Sequence, residues 1–266
     1  MLQARPLQSH PEFRFAPGYR ARAEFAGHTP RQNHLLAALP ADDYERLLPE
    51  LERVPLTLGW TIYGAGDRER HLYFLATGIV SQFYVTQDGA SAEIALTGSE
   101  GVIGIASFLG GGSTSSQAVV LSTGCAYRLP ANLLVDEFEQ DGQLLQLLLR
   151  YVHALIAQTG QNAVCNRHHS LEQRLCRCIL SCLDRSPSNE LTMTHELIAR
   201  TLGVRREGVT EAAGRLQQAG LIRYSRGRIA VLDRPRLEAQ ACECYAVVKR
   251  EYDRLRPKLR HAAVAC

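Results

Sequence analysis

The stretch THELIARTLGVRREGVTEAAGRLQQAGLIRYSRGRIAVLD, residues 194–233, runs through two helical patterns and then two short strand patterns. Thr194 can cap a first helix whose apolar face is Leu197, Ile198 and Leu202. Gly203 ends that helix and permits the positive φ of a tight helix–helix turn. Ala199 is small enough for a second helix to approach, and Val204 and Val209 can lock the crossing. The second helix is expected from Arg205 to Ala219, closed by Gly220. Val209, Ala212, Ala213 and Leu216 point inward. Arg205, Arg206, Glu207, Thr210, Glu211 and Arg215 point outward. LIRYSRGRIAVLD then reads as two strands turning at Arg226-Gly227.

Helix, glycine turn, helix and hairpin in that order describe a winged helix-turn-helix, and the chemistry of its outer face suits double-stranded DNA. An arginine fork can donate to guanine O6 and N7, a glutamate can accept from cytosine N4, and a threonine methyl can touch a thymine methyl. Glu207 and Glu211 would be unwelcome on a surface that only binds anions, so their place beside the arginines implies base reading. Arg223, Arg226 and Arg228 on the hairpin suit phosphate contacts. Thr194 and His195 stand at a helix N-terminus, where amides point outward. The competing expectation is a ligand or metal sensor whose winged domain makes protein contacts.

Charge distribution supports the first reading. Of 266 residues, 30 are Lys or Arg and 27 are Asp or Glu, a net charge of only +3. Between Arg200 and Arg228, seven arginines meet two glutamates, a surplus of five on one short segment. A local basic patch on a near-neutral chain implies a polyanion partner. No secretory leader or 18-residue apolar run is present, so the expected location is cytoplasmic, without a membrane. No Ser-His-Asp order, paired-carboxylate cleft or phosphate loop can be assembled, and Gly110-Gly111-Gly112 lacks the following Lys of such a loop. The chain is therefore not expected to be an enzyme.

Eight cysteines occur, at 125, 165, 176, 178, 182, 242, 244 and 266, without a CxxC pair. They are expected to be reduced, mostly structural thiols, and no metal or other cofactor is expected. Residues 235–257 are amphipathic and read as an extra helix packed on the winged domain. On one helix Cys242 and Cys244 would lie on different faces, which argues against a metal pair.

Upstream the pattern changes. Residues 33–51 read as two short helices split at Pro40, with Asp42 and Glu45 as a capping box. From Val54 to Leu129 short aromatic and β-branched runs alternate with glycine turns, Asp88-Gly89 among them, which implies a β-sandwich or barrel. Residues 136–166 form a long helical pattern with apolar residues on more than one side. Leu145, Leu148, Val152, Leu155, Ile156 and Thr159 are the candidate interface of a two-fold homodimer. Ser170 and Gln173 form the capping box of the next helix.

On ELIARTLGVRREGVTEAAGRLQQAGLI (196–222), the wing after it and the order of the upstream segments, the chain resembles the Crp–Fnr family of bacterial transcription regulators. That resemblance implies an α+β architecture: a double-stranded β-helix of jelly-roll type that is cyclic-nucleotide-binding-like, a long dimerisation helix, and the C-terminal winged helix-turn-helix. Its expected divisions are a mobile tail at 1–30, a sensor roll at 31–135, the dimerisation helix at 136–167 and the DNA-binding domain at 168–266. The resemblance also implies RNA polymerase as a partner and places Arg206-Glu207 where the family reads bases. The effector site departs from the family pattern. Where cyclic-nucleotide binders carry Gly-Glu-Leu and Arg-Ser, this chain has Gly104-Ile105-Ala106 and Ser116-Gln117. Gly104, Ile105, Ser115, Ser116 and Gln117 remain the candidate effector pocket, but a buried cyclic phosphate would lack a cation there, which argues against cyclic AMP or GMP. No cysteine precedes Cys125, against an N-terminal iron–sulfur cluster. The effector is left open.

Overall fold

The structure is a computed structural model that describes residues 27–110, 113–134, 138 and 143–255. The expected tail up to residue 26, Gly111-Gly112, the first turns of the expected long helix and the end of the chain lie outside the described residues.

Two antiparallel four-stranded sheets form the N-terminal domain. Their orders are β1-β8-β3-β6 and β2-β7-β4-β5, with β1 Glu52–Leu56, β2 Thr61–Tyr63, β3 His71–Leu75, β4 Ile79–Val85, β5 Ser91–Thr97, β6 Val102–Ile103, β7 Gln117–Ser122 and β8 Gly124–Pro130. Alternation places Leu56, Leu75, Val80, Ile103 and Val120 between the sheets. Leu72, Phe74 and Leu129 point the other way, into a second core under the helices. The expected Asp88-Gly89 turn joins β4 to β5.

Two short helices, α1 His34–Ala37 and α2 Ala41–Leu47, cover that second core. Asp42 is not a cap. Helix α2 starts one residue after Pro40, so Asp42 and Asp43 fall in its first turn, where their charge is favourable to the positive end of the helix dipole. The cap in this region is Asn33, fully buried, whose side-chain oxygen accepts from the amides of Leu35 and Leu36.

The long helix is α3, Gln143–His168. Leu144, Leu148, Tyr151, Leu155, Gln158, Asn162 and Cys165 recur every three or four residues and bury one stripe against the roll and the C-terminal helices. Leu148 and Leu155, expected at a dimer interface, belong to this interior stripe and are 0% and 7% exposed. A second apolar stripe, about a quarter-turn round the helix from the first, stays open. Leu149 is 46% and Ile156 66% exposed, with Leu145, Val152 and Thr159 half-buried between them.

Helix α4, Leu171–Leu183, begins with the expected Ser170–Gln173 capping box. Then come β9 Glu190–Thr192, α5 His195–Leu202, α6 Arg206–Gln218, β10 Ile222–Ser225 and β11 Arg228–Val231, with the strands in the order β10-β11-β9. Leu175, Ile179, Ile198, Leu202, Val209, Leu216, Ile222 and Ile229 form one core under the helices and the wing.

The C-terminal pattern is two helices, α7 Arg234–Gln240 and α8 Glu243–Asp253. Ala241 and Cys242 adopt extended backbone and break the run. Leu237 and Tyr245, with Ala241 against them, join the winged-domain core; Val248, Tyr252 and Leu255 pack into the roll–α3 core instead. The extra element therefore bridges the domains. Because Cys242 caps α8 from outside the helix, the argument that it and Cys244 face apart does not hold.

Candidate nucleic-acid interface

Thr194 caps α5 as expected, its Oγ1 accepting from the Leu197 amide at 3.1 Å. Gly203 closes α5 at φ 63°, ψ 43°, the left-handed geometry the tight turn requires. Arg205 is the N-cap residue of α6 and makes no side-chain cap bond, which leaves its guanidinium outside the helix. Arg205, Arg206, Glu207, Thr210 and Glu211 are all exposed, while Val209, Ala212, Ala213 and Leu216 are buried. The helix thus presents one continuous polar face.

Arg215, His195 and Thr210 of the expected contact set also bond within the protein. Arg215 Nε lies 2.9 Å from Glu172 Oε2, an ion pair that ties α6 to α4. His195 Nδ1 is 3.0 Å from Thr210 Oγ1, which itself donates to Arg206 O at 3.1 Å. The His195 ring stacks on Tyr224 of the wing, with centroids 4.1 Å apart and planes 19° from parallel. Burial holds its pKa below the usual value, and the Arg206 guanidinium adds to this, which favours the neutral ring. His195 is a strut between wing and second helix more than a free phosphate ligand. Its Nε2 is buried without a hydrogen-bond partner.

The wing turns at Arg226 and Gly227, at φ 48° and 77°, with Ser225 paired to Arg228 across it. Positive φ at both central positions matches the right-handed twist of a two-residue hairpin. Arg223 and Ser225 on β10 share a face with Arg228 and Ala230 on β11, and with Arg226 and Glu190 they line an open hollow of about 480 Å³. Three guanidiniums thus border one concavity on the solvent face of the wing.

Arg200 departs from the basic patch that the sequence implied. Its guanidinium sits 5.0 Å over the Phe83 ring and 3.5 Å from Gln117 Oε1, both on the roll. Ile79, Phe83, Leu96 and Leu121 of the roll belong to the same core as the helix-turn-helix. The first helix of the motif is therefore docked on the sensor domain. No local pattern announces this, because Arg200 and Phe83 lie in separate domains of the chain.

Several of the candidate effector residues make hydrogen bonds within the chain. Gly104, at φ 106°, precedes a 3-10 turn at Ile105–Ser107, and a Cβ there would overlap His71 O. The Ala106 amide donates to Glu69 Oε2 at 2.6 Å. Glu69 is buried, and that burial pushes its carboxyl above the usual value. Ser115 Oγ lies 2.9 Å from Tyr84 OH, Ser116 Oγ lies 3.1 Å from Thr114 Oγ1, and Gln117 reaches toward Arg200. Sequence reading missed Glu69, which sits far from the turn it caps. A carboxylate on an amide of that turn opposes a second anion at the same place.

A sensor-type roll, a long helix and a winged helix-turn-helix with an exposed arginine-bearing face define a DNA-binding transcription regulator with an effector-binding domain. Residues 53–141 match the cyclic nucleotide-binding domain model and residues 173–240 the Crp-like helix-turn-helix domain model, together more than half of the chain. The global nitrogen regulator of Synechococcus elongatus is 27% identical over 191 residues, covering 68% of this chain and 86% of its own length. Two solved structures share the fold at 18% identity and TM-score 0.64. FixK2 from Bradyrhizobium japonicum covers 72% of this chain and 98% of its own. A Crp/Fnr-family transcriptional regulator from Eubacterium rectale covers 79% and 98%. The chain belongs to the Crp–Fnr family of transcription regulators. Among the described residues no helix is long and apolar enough to cross a membrane.

Proposed function

We infer that the protein works in the cytoplasm as a homodimer that reads an inverted-repeat DNA site, one half-site per copy. The observation that carries this is the exposed Arg205, Arg206, Glu207 and Glu211 face of α6 beside a wing with three guanidiniums. Arg206 and Glu207 read base edges in the major groove, and Arg223, Arg226 and Arg228 hold the phosphates alongside.

The open stripe of Leu145, Leu149, Val152, Ile156 and Thr159 on α3 pairs with the same stripe of a second copy. Its steps of four and three residues are those of a coiled-coil seam. Two copies related by a two-fold axis present two α6 helices to successive major grooves. RNA polymerase is the partner through which the bound dimer acts. The roll's effector is not cyclic AMP or GMP, a reading supported by Glu69 on the Ala106 amide.

Selection of bound duplexes from a randomised pool tests the assignment. The expected result is an enriched inverted repeat with half-site centres about 34–36 Å apart. No retardation of any duplex at micromolar protein and low salt would overturn it and favour a winged domain that contacts protein.

A further inference from the structure

Cys165, His169, Cys242 and Cys244 come from two distant segments, yet their ligand atoms all lie within 4.8 Å of one another. Cys165 Sγ is 3.5 Å from Cys242 Sγ, and Cys244 Sγ is 3.6 Å from His169 Nδ1. We propose that these four side chains form a tetrahedral Cys₃His site for one thiophilic divalent cation of the zinc type, which fastens the C-terminal helices to the end of α3.

The distances select the metal class. Zinc binds thiolate sulfur at about 2.3 Å and imidazole nitrogen at about 2.0–2.1 Å, so tetrahedral ligand atoms sit roughly 3.5–3.8 Å apart. Both close pairs match that spacing. A polynuclear iron–sulfur cluster would hold its cysteines farther apart, because several irons and sulfides must fit between them. A disulfide needs sulfurs at about 2.0 Å, and it would leave the Cys244–His169 pair unexplained.

Local backbone produces the convergence. Cys165 and His169 are four residues apart at the end of α3, and the His169 amide donates to Cys165 O at 3.1 Å, which carries the helical turn on to the histidine. Cys242 is the extended N-cap of α8, and Cys244 lies in that helix's first turn. This half-in, half-out step turns both sulfurs to one side, which a continuous helix would not do.

The surroundings fit a loaded site. Cys165, Cys242 and Cys244 are 0%, 4% and 0% exposed and form a small cluster apart from the apolar cores. His169 Nε2 is 3.3 Å from Glu243 Oε1, the outer carboxylate that would leave Nδ1 free as a ligand. Three thiolates and one divalent cation carry a net charge of −1. Buried Arg177 stands near Cys165 and Cys242, and Arg174 near Cys165, to offset it. Loading forms three metal–sulfur bonds and one metal–nitrogen bond, releases the thiol protons to solvent and transfers no electrons.

The test uses the full chain, purified without chelator and under reducing conditions. Elemental analysis should find close to one zinc per chain. Cobalt loaded into stripped protein should give the intense visible bands of a tetrahedral thiolate complex. Cys244→Ser and His169→Ala should each weaken zinc by more than the roughly 100-fold upper range for loss of an outer partner, and Glu243→Gln by about 10-fold. Cys125→Ser, distant and buried in the roll, should leave zinc affinity unchanged. Zinc should raise the melting temperature of the native chain but not of Cys244→Ser, which separates a staple from adventitious binding if another variant fails to fold. Any of four results would overturn the proposal: an octahedral cobalt spectrum, equal zinc content in native and Cys244→Ser protein, stoichiometric iron with sulfide, or a Cys165–Cys242 disulfide in the freshly isolated chain.

Discussion

The Arg185 guanidinium lies 2.6 Å from the Glu100 carboxylate, an ion pair whose side chains are only 7% and 11% exposed. Glu100 belongs to the roll and Arg185 to the turn after α4, so the pair joins the two domains beneath Tyr252 of α8, whose ring lies 5.2 Å from the guanidinium. Burial works against the arginine charge, and Glu100 with Tyr252 more than offsets it. Arg185→Met leaves a buried carboxylate without its cation and should cost about 3–5 kcal/mol. The double variant Arg185→Met with Glu100→Gln should recover part of that loss. Chemical denaturation of all four proteins closes the cycle, and strict additivity would show that the pair is not coupled.

Base reading and phosphate holding separate by their sequence dependence. Arg206→Ala should cost about 1–3 kcal/mol on the selected site and relax one base position. At Arg226 the substitution should be to Asn, which tolerates the left-handed backbone at φ 48° while removing the charge. Arg226→Asn should weaken all duplexes alike and flatten the salt slope by about one unit. Fluorescence anisotropy on cognate and scrambled duplexes over a salt series reads both effects. Equal losses on every sequence for Arg206→Ala would remove it from base recognition.

Ile156 is the most exposed large apolar residue of α3, at 66%. Ile156→Glu places like charges opposite each other in the proposed seam while touching none of the chain's own core. Light scattering should show a monomer that keeps its melting temperature to within a few degrees at high dilution, and DNA affinity should fall. Leu148→Glu would instead unfold the chain, because Leu148 is fully buried. A dimer that survives Ile156→Glu would place the interface elsewhere.

Glu93 on β5 is buried, and burial pushes its carboxyl up to about 7, with a hydrogen bond from Ser81 acting the other way. The folded value thus exceeds the unfolded value of 4.5. As pH rises from about 4.5 to 7 the unfolded chain gives up this proton first, so stability falls across that window and then levels off. Glu93→Gln removes that dependence. The variant should match the native protein near pH 4 and be more stable at pH 8 by up to about 3 kcal/mol. Thermal melts at both pH values decide it; an identical pH profile in the variant would exclude Glu93 as the cause.

The amino-acid sequence by itself determined the winged helix-turn-helix, because its signals are local. Thr194 as a cap, Gly203 at a left-handed turn, the apolar spacing of α5 and α6 and the Arg226-Gly227 hairpin each act within a few residues. The β-rich domain and the long helix were legible for the same reason. The sequence did not reveal which apolar stripe of α3 is interior, since Leu148 and Leu149 look alike until the roll covers one of them. Nor did it reveal that Arg200 docks on Phe83, that Glu69 caps the Ala106 amide, or that one residue of extended backbone at Cys242 turns two cysteines toward Cys165 and His169. Those relationships join segments far apart in the chain, and only tertiary packing brings them within reach, because side-chain chemistry depends on neighbours that periodicity does not specify.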